Sequence, residues 1–132
     1  MAAKTPRWRR YLDGLSAGEI FDLAYERGRN PRARVAAICQ LQHVGIGKFL
    51  KAACEHVGDE PMQPPAWMKV CSGAGDRVPR PENLYAIERY TAALLGEEHA
   101  VTMAEWIVYA SRERKRAQRA AVPPRLPLAV GM

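Results

Sequence analysis

Between Ile46 and Leu95 the chain carries two strongly helical segments on either side of a short, Pro-bracketed third, and this arrangement restricts the folds open to it. Ile46, Phe49, Leu50, Ala53, Cys54 and Val57 fall at i, i+3, i+4, i+7, i+8 and i+11, one apolar face of a 3.6-residue helix. Gly58 follows where a left-handed C-terminal cap belongs. The last segment opens at Pro81, a residue suited to a first helical position, and places Leu84, Ile87, Thr91, Leu94 and Leu95 on one side before Gly96. The intervening PPAWMKVCSG has room for only about two helical turns.

The flanks are helical too. Ser16 with Glu19 three residues on predicts a capping box, Leu15 and Ile20 a staple across it, and Ile20, Phe21, Leu23 and Ala24 the buried face of a helix ended by Gly28. Asn30 before Pro31 predicts a second start, with Val35, Ile38, Cys39 and Leu41 as its buried stripe up to Gly45. Thr102 with Glu105, and Val101 with Trp106, repeat the box and staple at a last helix, whose apolar start (Trp106, Ile107, Tyr109, Ala110) gives way to the basic run Arg112–Arg119 before Pro123 and Pro124. The expectation is an all-α fold, a compact bundle of five or six short helices. Residues 1–14 read as a basic arm, either mobile or docked through Trp8 and Leu12 on the first helix, 15–110 as the helical domain, and 111–132 as a basic helical extension with a Pro-rich tail.

The run Val70-Cys71-Ser72-Gly73, followed by Val78-Pro79, Ile87-Glu88 and Thr91, resembles the back half of phage Cro and repressor-type helix-turn-helix domains, above all small Cro-like prophage regulators. Val101-Thr102 with Glu105 resembles the stretch beyond that helix. The likeness spans roughly Ile46 to Glu105 and makes residues 46–95 the helix-turn-helix core. It implies that Trp67 and Val70 point inward and that Gln63, Ala66, Met68, Lys69 and Ser72 face a groove. Gln pairs with adenine and Lys with guanine, so Gln63 and Lys69 become base contacts, while Arg77 and Arg80 are placed for phosphates. The chain departs from the pattern in its turn: Gly58 to Gln63 intervene before Pro64, where three or four residues are usual.

Net charge is +6, and its distribution matters more than its sum. Residues 1–36 carry eight Lys or Arg against four Asp or Glu (+4), residues 37–110 six against nine (−3), and residues 111–132 six against one (+5). Arg supplies 15 of the 20 cations, which favours forked contacts to phosphate or carboxylate. Arg112, Arg114, Lys115 and Arg116 are therefore expected to supply salt-sensitive phosphate affinity. Arg29, Arg32 and Arg34 crowd the start of the second helix, where the macrodipole does not favour cations, and are expected to face a partner's anions.

No catalytic constellation stands out. His43, His56 and His99, and Ser16, Ser72 and Ser111, lack a nucleophile setting or a Gly-rich phosphate loop, and Glu97 and Glu98 are adjacent and diverge on a helix. Cys39 and His43 are one turn apart, but with Cys54, His56 and Cys71 they lack paired short zinc spacings, so core cysteines are expected and no metal, cofactor or enzymatic activity. Three scattered cysteines fit a reducing compartment; with no membrane-length apolar run and no apolar leader in MAAKTPRWRR, the cytoplasm is expected. The reading is a small DNA-binding transcriptional regulator of phage or mobile-element type, acting on double-stranded DNA as a homodimer. The alternative is a protein-binding inhibitor or adaptor on a degenerate helix-turn-helix fold, gripping a host or phage protein; the expanded turn and acidic middle favour it. An RNA or nucleoprotein accessory role fits the same arms.

Overall fold

The computed structural model describes residues 7–58 and 78–121, and every regular element among them is helical. In order they are a 3-10 helix (Arg7–Leu12), α1 (Ala17–Tyr25), α2 (Pro31–Gln42), α3 (Ile46–His56), α4 (Pro81–Leu95), a 3-10 turn (Glu97–His99) and α5 (Met103–Ala121). The all-α bundle expected from periodicity is thus the fold, with five α-helices among the described residues. The predicted short helix near Ala66–Ser72, and with it Gln63, Lys69, Ser72 and Arg77, lies outside them.

The caps fall where the sequence puts them. Ser16 accepts from the Glu19 amide and Glu19 from the Ser16 amide, both at 3.1 Å, closing the capping box of α1. These bonds from Ser16 hold the Glu19 carboxyl below its ordinary value. The Asn30 side chain accepts from the Arg32 amide with Pro31 in the first position of α2. Thr102 and Glu105 exchange the same pair of bonds at the start of α5, each at 3.2 Å. Gly58 stands in the left-handed region past α3. The end of α2 differs from expectation: His43, not a glycine, takes the left-handed cap at φ 58°, and Gly45 instead begins α3.

α2 is the hub. Every residue from Pro31 to Cys39 is buried, as befits a helix packed on all sides, and α1, the N-terminal 3-10 helix, α3 and α5 all meet it. Trp8 and Leu12 enter the core with it, so the predicted arm is packed from the 3-10 helix onward, against α2 rather than α1. Phe49 and Leu50 of α3, Leu84 and Ile87 of α4, and Val101 and Trp106 at the start of α5 complete that core. Three expected core residues sit outside: Phe21 is 53% exposed, Leu41 38% and Leu94 39%, each on the edge of a stripe wider than its helix needs.

Arg32 and Arg34 overturn the expectation of an anion-facing cluster, because both are buried. The Arg34 guanidinium grips the Glu105 carboxylate at 2.8 and 3.0 Å and donates to the carbonyls of Ala24, His99 and Ala100. Five contacts, two to the carboxylate and three to carbonyls, offset the desolvation of a fully enclosed cation, although its Nε is buried without a hydrogen-bond partner. Arg32 lies over the Trp106 ring, 5.9 Å from its centroid. Arg29 alone stays at the surface, paired with Glu26 at 2.9 Å.

Candidate nucleic-acid interface

The Ile87-Glu88-x-x-Thr91 part of the family-like run has a structural job. Ile87 is core, the Glu88 carboxylate accepts from the Met103 amide at 2.8 Å, and the Thr91 hydroxyl accepts from the Val101 amide at 2.9 Å while donating back to the Ile87 carbonyl. Two residues of α4 thus satisfy amides at the entry to α5, where Thr102 and Glu105 satisfy two more. Arg34 then holds Glu105 from α2. The first turn of α5 is fixed from three sides.

Beyond that anchor α5 leaves the bundle. Trp106 and Ala110 are buried, but from Arg112 to Ala120 every residue is exposed except half-buried Glu113. Arg112, Lys115, Arg116 and Arg119 recur at i, i+3, i+4 and i+7 and line one shallow depression along this outer half. The four cations span about 10 Å of helix. They lie toward the C-terminus, where the helix dipole favours positive charge. Arg116 is shared with Glu113 at 3.4 Å, the one carboxylate of this half. Burial, and then the Glu113 charge, push the Tyr109 hydroxyl above its ordinary value just inside the stripe.

Of the predicted phosphate contacts, the structure brings Arg112, Lys115 and Arg116 together and adds Arg119, which the i+7 spacing alone would have supplied. Arg114 belongs to another flank, turned about 200° from Arg112 and Arg116. Arg80 precedes α4 with its side chain 81% exposed and 3.9 Å from Glu82, while its carbonyl starts the helix by accepting from the Asn83 and Leu84 amides at 2.9 Å. The Cys54 thiol reaches the Asn83 side-chain oxygen at 3.8 Å, so the end of α3 and the start of α4, between which Gln63, Lys69, Ser72 and Arg77 occur in sequence, lie together.

No family model, curated protein or solved structure matches this chain. The Cro-like resemblance therefore rests on its motif residues. Cys39 is buried, with burial pushing its thiol up to about 12, whereas His43 is exposed in its left-handed cap, so the i, i+4 pair does not share a site. Among the described residues no three His, Cys, Asp or Glu side chains gather as a metal site would require, and no helix is long and apolar enough to cross a membrane.

Proposed function

We propose that this chain is a small regulator that binds double-stranded DNA, with the outer half of α5, Arg77 and Arg80 laid along phosphates and Gln63 and Lys69 approaching base edges. The observation that carries this reading is the row Arg112, Lys115, Arg116 and Arg119 on one face of a solvent-exposed helix. Cations in a row displace condensed counterions from a duplex, and three Arg in four favour forked phosphate contacts. The charge balance supports it: with Arg34 neutralised inside by Glu105 and Arg32 enclosed, the densest exposed positive charge among the described residues is at the end of α5.

Selection of bound duplexes from a random pool at near-physiological salt tests the whole assignment. The expected result is a motif bound about a thousandfold tighter than a scrambled control, with Lys69→Ala weakening that motif only and Arg112→Ala weakening every sequence alike. Unselective, steeply salt-dependent binding would remove the base-reading role of Gln63 and Lys69. No binding at low salt would remove DNA and leave the protein-binding inhibitor or adaptor, a reading that the exposed Phe21, Ile107 and Val108 favour.

A further inference from the structure

α5 carries a second unpartnered face beside the basic one. Ala104, Ile107, Val108 and Ser111 recur at i, i+3, i+4 and i+7, with Ile107 57% and Val108 47% exposed and Ala104 exposed as well. The staple and core contacts of this helix are made by Val101, Trp106 and Ala110, so nothing in the anchor requires a branched aliphatic pair outside. The same helix is strongly polar end to end. Glu98 stands just before it with its side chain 81% exposed, beside Glu97, whose carboxylate also pairs with Arg89 at 2.9 Å, and its last turns carry Arg114, Lys115 and Arg119.

We infer that this face is covered by α5 of a second copy, running antiparallel, with Ile107, Val108 and Ser111 at the crossing. Charge decides the partner and its direction. An antiparallel neighbour brings the basic end of each helix to the Glu97–Glu98 end of the other and opposes the two helix dipoles; a parallel neighbour would set one Arg–Lys run against another. A two-fold axis through the crossing makes the contact self-complementary and closed. Arg112 and Arg116 lie on the flank and stay open in both copies. The inference deepens the DNA-binding reading by naming how two copies join, and its test uses no nucleic acid, so the two fail separately.

The contact is short and predicts a reversible dimer with a dissociation constant of about 10–100 µM. Sedimentation of the full chain over that range is expected to show a monomer–dimer equilibrium, and Ile107→Lys with Val108→Lys to weaken it at least tenfold, while Arg112→Ala leaves it unchanged. Because these positions are exposed, circular dichroism of the double variant should match the parent. Direction is read by oxidative crosslinking in a Cys71→Ser background: Val108→Cys is expected to crosslink to itself across the axis, and Gln118→Cys is not. A chain monomeric throughout the range, a dimer indifferent to the two lysines, or Gln118→Cys crosslinking as well as Val108→Cys would each overturn the proposal.

Discussion

At Arg34 a long charged side chain, four residues past an N-cap, is wholly enclosed and makes the contacts that close the bundle. Its guanidinium joins the end of α1 through Ala24, the linker through His99 and Ala100, and α5 through Glu105. Removing one partner of such a pair leaves the other charge buried. Arg34→Met is therefore expected to cost about 3–5 kcal/mol. Replacing both, with Arg34→Met and Glu105→Leu, should cost clearly less than the two single changes added, because no charge is then stranded; urea unfolding of the three variants reads the difference. Local sequence rules carry no sign of this role. A cation near a helix start reads as surface by propensity, and what pulls it inside is three carbonyls and a carboxylate from elements at least ten residues away in the chain. His43 was obscure for a similar reason: Gly45 is the residue that local rules select as a cap, yet the chain turns two residues earlier.

α5 is two things in one helix, an anchored half and a projecting half. Its outer turns have no core beneath them and persist because nucleation is borne by the anchor and because Ala, Arg, Lys and Gln are strong helix formers. Ala117→Pro is expected to unravel the last turns, since it removes a backbone bond and clashes with the preceding turn, a local cost of about 3 kcal/mol. Far-UV dichroism should fall by a few residues' worth of helix while the melting of the body, reported by buried Trp106, stays put; a parallel loss of both would show that the outer half supports the core. Elements were well read from sequence wherever caps and periodicity agree: Ser16–Glu19, Asn30–Pro31, Pro81 and Thr102–Glu105 all start helices where expected. Which flank of a stripe meets the core was not readable, because helix periodicity gives a face and only packing gives its edges. Phe21, Leu94 and Ile107 are outside for that reason, whereas the parting of Arg114 from its three basic neighbours follows from helix periodicity alone.

The whole molecule combines a hub helix buried on every side, an entry knot that fixes the first turn of α5, and a basic row held away from a body (residues 7–110) in which positive and negative side chains balance. Residues 37–110 are net acidic in sequence, so a duplex drawn to the outer half of α5 meets repulsion from much of the middle of the chain. That arrangement favours one defined face for a polyanion over diffuse adhesion. The most direct test is the salt dependence of binding to a duplex of about 30 base pairs between 50 and 200 mM salt, compared for the parent and the Arg112→Ala, Lys115→Ala, Arg119→Ala triple variant. Log Kobs is expected to fall with log salt at a slope of about −3 or steeper, and the triple variant to lose about 2.7 of that slope, on matched and scrambled sequences alike. A slope that the triple variant leaves unchanged, or no binding even at 50 mM salt, would contradict it.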